Sequence, residues 1–344
     1  MNAERKDPVK VAIIGLGRAG WSIHVDALRG RDDFRIVDVA DPNEDRRTEA
    51  ASDLGCGVHV GIDDLLAATD AEIVIVATPS ASHEEDGFKV FASGRHCVME
   101  KPMATSHSGA LRLVAAAKKA NRKLFVHHQR RFNDEGLFLR EVIDSGILGE
   151  VFEIRLCWAG FARRNDWQTL KKNGGGNLNN TGPHVIDLAL SLIDDPVTTL
   201  VADVRHIKDA GDADDHAHLF MKTSGGQTID LLVTTCMALN GPRTELLGSQ
   251  GTLQAMDDQV AKLKYFDGSN LPPLEVIDGL APGRKYGNDE VLPWVEEERP
   301  ITPTVRIGGF HDNVWSVLRE GGEMVVRPEE AAEVLRIIDL SREG

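Results

Sequence analysis

The stretch from Val9 to Gly20 limits the fold more than any other part of the chain. VKVAIIGLG (Val9–Gly17) is an apolar, β-branched run that breaks into Gly15-Leu16-Gly17-Arg18-Ala19-Gly20. A buried strand that ends in G-x-G-x-x-G and opens a helix is the phosphate-binding turn of a dinucleotide fold. The first glycine permits the tight turn, the second lets backbone approach a pyrophosphate, and the third lets helix and strand pack closely. The helix N-terminus adds free N–H groups and positive potential. An acid is expected about 20 residues on, capping the second strand, to bind ribose hydroxyls. Asp41 stands 21 residues past Gly20. A carboxylate there repels a 2′-phosphate, so NAD is favoured over NADP, with Arg46 and Arg47 just downstream softening the preference. A plain strand–helix turn is the competing reading of the glycines, and both the context and the spacing of Asp41 count against it.

Four more apolar runs follow in the same rhythm: Phe34–Asp41, Ala71–Ala77, His96–Pro102 and Lys123–Gln129. Helical patterns separate them at Ala19–Arg29, Asn43–Leu54, His83–Ser93 and Ser106–Asn121. Strands alternating with helices of this length predict an α/β fold, a doubly wound parallel sheet covered on both faces. The pattern changes after Phe132. A helix is predicted over Asn133–Ser145 and a long strand over Glu150–Phe161. Short strands follow at His216–Thr223, Gln227–Met237, Thr244–Leu247, Gly251–Met256 and Ala261–Phe266, separated by turn signals. These imply a second α/β domain with a large, mostly antiparallel sheet. Asp267–Pro303 reads as a loop, and helices are predicted at Phe310–Arg319 and Pro328–Ser341. The expected division is residues 1–132 and 133–344, with the closing helices either in the second domain or packed back on the first.

Composition narrows the partners. The net charge is −15 and the pI about 5.3, which works against nucleic acid and anionic membrane. The four cysteines, Cys56, Cys97, Cys157 and Cys236, are far apart and form no CxxC pair, so reduced thiols in a cytoplasmic protein are expected. No histidine pair has HExxH spacing, and Asp214, Asp215, His216 and His218 read as structural, so no metal is expected. No apolar run reaches the roughly 18 residues of a membrane span, and none resembles a signal peptide.

Further motifs carry a resemblance. GLGRAGWSIH (Gly15–His24), TPSASH (Thr78–His83), Glu100-Lys101-Pro102, HHQRRFN (His127–Asn133) and GGGNLNNTGPHVID (Gly174–Asp187) together resemble the glucose–fructose oxidoreductase, inositol dehydrogenase and rhizopine-catabolism (Gfo/Idh/MocA) family. The closing FHDNVWSVLREG and VVRPEEAAEVLRIID resemble the family's last helices. The resemblance implies a Rossmann domain followed by an α/β domain whose open sheet forms a homodimer or homotetramer face. It also implies nicotinamide-dependent oxidation or reduction at one carbon of a sugar, cyclitol or related small polar substrate.

Such chemistry needs a proton acceptor for the hydroxyl and a group that stabilises charge on its oxygen. Lys101, at a strand's carboxyl end, and His184, after the glycine-rich loop, are the catalytic candidates, as the resemblance also implies. A surface lysine paired with Glu100 and a structural histidine are the plainer readings of each. Asp187 lies three residues past His184, where it either orients the imidazole or merely caps the helix. The family pattern has aspartate where this chain has Asn180. An amide cannot act as a base, so Asn180 becomes a positioning residue and the proton work falls to His184 and Lys101. Gln129, Arg130 and Trp167 join Asn180 and Asp187 as substrate-side candidates, with Arg163 and Arg164 nearby. The expected cofactor-binding set is Gly15, Leu16, Gly17, Arg18, Ala19, Gly20, Asp41, Thr78, Pro79, His83, Glu100 and Lys101. Two other activities stay open: a tightly held NAD recycled internally for glycoside cleavage or epimerisation, and a non-catalytic dinucleotide sensor.

Overall fold

The computed structural model describes residues 7–343 apart from 277 and 280–289. Six strands form the first sheet: β1 (Val9–Ile14), β2 (Phe34–Ala40), β3 (Gly57–His59), β4 (Ile73–Val76), β5 (His96–Met99) and β6 (Leu124–Val126). Their order is β3-β2-β1-β4-β5-β6 and every pairing is parallel. The order reverses between β1 and β4, which opens a crevice at the strands' carboxyl ends. All four residues of β4 are buried, because helices cover both faces.

Helices α1 (Asp26–Leu28), α2 (Glu44–Leu54), α3 (Ile62–Ala68), α4 (His83–Ala92) and α5 (His107–Lys119) connect these strands. Local chemistry sets their ends. The Asn43 side chain accepts from the Arg46 N–H to start α2, and Gly55 closes it in the left-handed conformation. Ser106 caps α5 through the Gly109 N–H. The helix expected over Ala19–Arg29 is present but is wound as a π-helix over Ala19–Val25 before the single α turn of α1.

The second sheet contains β7 (Val151–Ala159), β8 (Val197–Arg205), β9 (His216–Thr223), β10 (Thr228–Thr234), β11 (Thr244–Gly248), β12 (Gly251–Ala255), β13 (Val260–Tyr265) and β14 (Val295–Pro300). Its order is β14-β13-β12-β11-β7-β10-β9-β8. Only the β7–β10 pairing is parallel. Alternate residues of β9 are buried, so one face packs on the core, with α6 (Asp134–Asp144), α7 (Asn177–Asn180) and α8 (Gly182–Ser191) on the protein side. The opposite face exposes Val201 and Phe220, which pair across β8 and β9. The closing helices α9 (Phe310–Arg319) and α10 (Pro328–Leu340) return to the first domain. Phe310 and Val314 of α9 join Val25 and Leu28 in the core on one face of the parallel sheet, while α10 packs on α5 and α8.

Four expectations change. The run Ala71–Ala77 narrows to Ile73–Val76, and β3 with α3 precedes it unannounced, because β3 is only three residues and none is buried. β8 was not anticipated either: its Thr, Asp and Arg residues suit an edge strand that faces water. The segment Asp267–Pro303, read as a loop, contains β14. Its Glu296 and Glu298 pair with Lys264 and Lys262 across the strands, so charge pairing replaces the missing apolar alternation. Residues 277 and 280–289 of that segment lie outside the described residues. No helix among the described residues is long and apolar enough to cross a membrane.

Candidate active site

The glycine turn at the end of β1 is sterically committed. A Cβ on Gly15 (φ +88°) would sit 2.6 Å from the Ala77 carbonyl oxygen, and one on Gly20 would sit 1.8 Å from that of Gly15. A Cβ on Gly17 would meet nothing within 4 Å. The turn therefore packs tightly against β4 and leaves open space over its middle glycine, where a pyrophosphate fits. Asp41 is buried beside it. Its carboxylate accepts from the Leu16 N–H (2.7 Å) and the Asn43 N–H (2.8 Å), with the Arg46 guanidinium at 3.3 Å. The residues present thus fit a dinucleotide. Arg18 is exposed at the turn, and Leu16 is buried beneath it.

Beyond β4, the Thr78 hydroxyl donates to Asp86 (2.7 Å). His83 differs from the expectation of a cofactor contact. It is buried, with one ring nitrogen 2.8 Å from the Pro102 carbonyl oxygen and the other 2.8 Å from that of Thr78. It ties the Thr78-Pro79 turn to the segment that carries Lys101.

Glu100 is also an inner residue. Its Oε1 accepts from His24 Nε2 (3.1 Å) and His127 Nδ1 (2.7 Å), and its Oε2 from the Lys101 N–H (3.1 Å). His24 in turn lies 3.1 Å from His311 of α9. Burial alone would raise the Glu100 pKa, but the bonds from His127 and His24 outweigh it and hold the carboxyl well below its usual range. Burial pushes His24 and His311 down. His24, Glu100 and His127 are close enough to share a metal ion, yet the Glu100 separations are those of hydrogen bonds.

Lys101 crosses between the domains, and its ammonium donates to the Asn180 carbonyl oxygen of α7 (3.0 Å). Burial lowers its pKa, Glu100 opposes that, and Arg18 adds to it. His184, in the first turn of α8, is pushed down to about 2, first by burial and then by the charges of Lys101, His128 and Arg130. The glycine loop before α7 brings Gly174 near the first domain, where a Cβ would lie 3.6 Å from Ser80 Oγ. Five polar atoms around this group are buried without a partner among the described residues: His184 Nδ1, Asn180 Nδ2, His128 Nδ1, Arg130 Nε and Trp158 Nε1. Buried polar atoms are nearly always satisfied, so such a cluster marks a site that a ligand completes.

Family models match both halves of this arrangement. One, described as the oxidoreductase family with an NAD-binding Rossmann fold, covers residues 9–128, and the GFO/IDH/MocA C-terminal domain covers residues 137–254. The chain belongs to the GFO/IDH/MocA family of oxidoreductases. It is 26% identical to scyllo-inositol 2-dehydrogenase (NADP(+)) IolW of Bacillus subtilis, over 98% of this chain and 94% of that protein. It is 29% identical to the inositol 2-dehydrogenase of Rhizobium meliloti, over 86% and 91%. The crystal structure of an NAD-binding protein from Listeria innocua superposes with a TM-score of 0.82 at 26% identity, covering 98% of this chain and 94% of the other.

Within this GFO/IDH/MocA chain the other expected residues separate. Asp187 does not orient His184. It is fully buried, and Arg131 takes its carboxylate through Nε (3.0 Å) and Nη2 (2.7 Å), because a buried carboxylate needs a cation and Arg131 supplies one. Arg130, the preceding residue, turns elsewhere, its guanidinium carbon 4.5 Å from the centre of the Trp158 ring. Gln129 opens the same 3₁₀ turn, Gln129–Phe132, and is half-buried. Trp167 is 56% exposed on a separate 3₁₀ turn. Arg164 pairs with Asp166. The sequence reading gave no role to His24, His127, His128, His311, Arg131, Trp158 or Arg243. His24 and the pair His127-His128 stood inside the quoted motifs, and an uncommon residue type directly after a phosphate turn or a buried strand was the available signal.

Proposed function

We propose that this chain is a nicotinamide-dependent dehydrogenase that acts on a hydroxyl-bearing carbon of a sugar, sugar derivative or cyclitol. The observation that carries the reading is the Lys101 ammonium, reaching from the end of β5 to the Asn180 carbonyl oxygen, beside His184 and a group of unpartnered polar atoms. A bound nicotinamide supplies a hydride acceptor. Gly15 to Gly20 hold the pyrophosphate, and Asp41 receives the ribose hydroxyls. The Asp41 carboxylate favours NAD over NADP, and its contact with Arg46 moderates that preference. Lys101 binds the reacting oxygen and, once neutral, takes its proton. His184 and Asn180 hydrogen-bond the substrate, because His184 stays neutral at any working pH and Asn180 cannot titrate. A second copy of the chain covers the open face of the C-terminal sheet, where Val201 and Phe220 are exposed.

The test is turnover. The purified protein is mixed with NAD or NADP and a panel of sugars, sugar acids and inositols, and reduced nicotinamide is followed by absorbance. Turnover that Lys101→Met abolishes supports the reading. Tight cofactor binding with no turnover on any member refutes it in favour of a sensor.

A further inference from the structure

The charges around the Lys101–His184 pair are one-sided. Arg18 and Lys101 are cations, Asn180 is neutral, and Arg130 is near enough to depress the His184 pKa. The neighbouring carboxylates are already committed. Glu100 holds His24, His127 and a backbone N–H, and Asp187 holds Arg131. Glu135 receives both arms of Arg243 at 3.0 and 3.2 Å, and the exposed Asp258 accepts from Gln259; the charges of both reach Arg130, but neither comes within ion-pair distance of it and burial outweighs them. Where the family pattern has an aspartate, the amide of Asn180 removes one more negative charge.

Arg130 stands apart from the arginines near it. Arg131 pairs with Asp187 and Glu330, and Arg243 with Glu135. Arg130 has no carboxylate within ion-pair distance among the described residues, and its Nε is buried without a partner. A guanidinium partly withdrawn from water is costly unless an anion meets it. Its plane is held by Trp158, whose ring also carries Arg243 at 4.3 Å. Three of the unpartnered atoms, Arg130 Nε, Trp158 Nε1 and Asn180 Nδ2, can only donate. A ligand that satisfies them must be rich in acceptors.

We propose that Arg130 receives an oxyanion on the substrate, so that the substrate class is an acidic sugar or cyclitol rather than a neutral polyol. This rests on the dehydrogenase reading above. Carboxylate and phosphate share the chemistry, since both match the planar fork of a guanidinium. Asn180 then fits the site, because an aspartate there would repel the anion that Arg130 binds.

The experiment compares matched substrates with saturating cofactor: glucuronate and glucose 6-phosphate against glucose, galacturonate against galactose, and an inositol phosphate against inositol. The expected result is that one acidic arm exceeds its neutral partner in kcat/KM by at least about tenfold, and which arm wins separates carboxylate from phosphate. Arg130→Gln is expected to erase that preference mainly through KM, and Arg130→Lys to restore part of it. Melting temperature and cofactor affinity of the variants report folding. Neutral substrates used as well as acidic ones, or an Arg130→Gln loss shared equally by both, overturns the proposal. If cofactor binds and nothing turns over, the dehydrogenase reading fails, and calorimetry on the cofactor-loaded protein decides the anion site separately. Uronate or sugar-phosphate binding that Arg130→Gln abolishes supports it. No binding, or binding indifferent to Arg130, overturns it.

Discussion

In the proposed reaction Lys101 is the proton acceptor, and the pH profile tests that role. With its pKa pushed down to about 2, His184 is neutral throughout the working range. Placing a proton on it at pH 7 costs about 7 kcal/mol, against less than about 1 kcal/mol for an ordinary histidine. Burial is the main cause, and Lys101, His128 and Arg130 add to it, with Glu100 opposing. Lys101 moves the other way in usefulness: burial lowers its pKa, so neutral amine becomes available at a lower pH than for an exposed lysine. Alcohol oxidation needs the neutral amine. The expected kcat/KM therefore rises with pH through the Lys101 pKa and levels off above it, with no inflection that belongs to His184. His184→Gln is expected to lower kcat/KM about tenfold to a hundredfold without moving the inflection. Lys101→Met is expected to lower it by about 10² to 10⁴ and to remove the inflection. Initial rates from pH 5.5 to 10.5 on the best panel substrate provide the assay. An inflection at 6 to 7 that disappears in His184→Gln would refute the reasoning.

Four other outcomes follow from the packing. Gly17→Ala is expected to fold with a loss of less than about 1 kcal/mol, since its Cβ meets nothing within 4 Å, yet to weaken dinucleotide binding at least about tenfold; calorimetry and thermal melts check both. Arg131→Met strands Asp187, fully buried, and is expected to cost about 3 to 5 kcal/mol in urea denaturation. Stability should fall on acidification in two stages. Below the ordinary histidine pKa the unfolded chain binds protons that buried His24, His128, His184 and His311 refuse, and below the ordinary carboxylate range it gains the proton that Glu100 refuses. Denaturation at pH 8, 6 and 5 measures the first stage, and Glu100→Gln is expected to remove its share of the second. Phe220→Asp on the open sheet face is expected to yield a monomer by light scattering if a second copy covers that face.

The parallel sheet was legible because its strands are continuous apolar runs and its turn carries three glycines with an acid at fixed spacing. Those patterns report local needs: burial on both faces, close backbone approach, a capped strand end. β3, β8 and β14 escaped because an edge strand that faces water has no such need, and β14 is held by Lys–Glu pairs that read as loop charge. The catalytic candidates Lys101 and His184 were legible as positions, but their electrostatic characters were not. A depressed histidine depends on what buries it, and all four groups acting on His184 come from residues more than 50 positions away in the chain.

The adjacent arginines show where sequence spacing stops being informative. Arg130 and Arg131 share one short 3₁₀ turn and one residue type, yet they do opposite work. Arg131 goes inward, to a carboxylate on α8 and another on α10, and ties three segments together. Arg130 goes to an aromatic ring on β7 and has no carboxylate within ion-pair distance among the described residues. Glu100 and Lys101 divide in the same way, the acid into a histidine cluster that includes His311 of α9 and the base outward to α7. In each pair one charged residue is neutralised by the fold, and its neighbour is the one proposed above to meet a ligand. Which is which is decided by segments that close the tertiary structure, with α8 and α10 around Arg131 and α9 around Glu100. A variant that neutralises the inner member should therefore lose stability first, and one that neutralises the outer member should lose substrate recognition or rate at nearly unchanged stability.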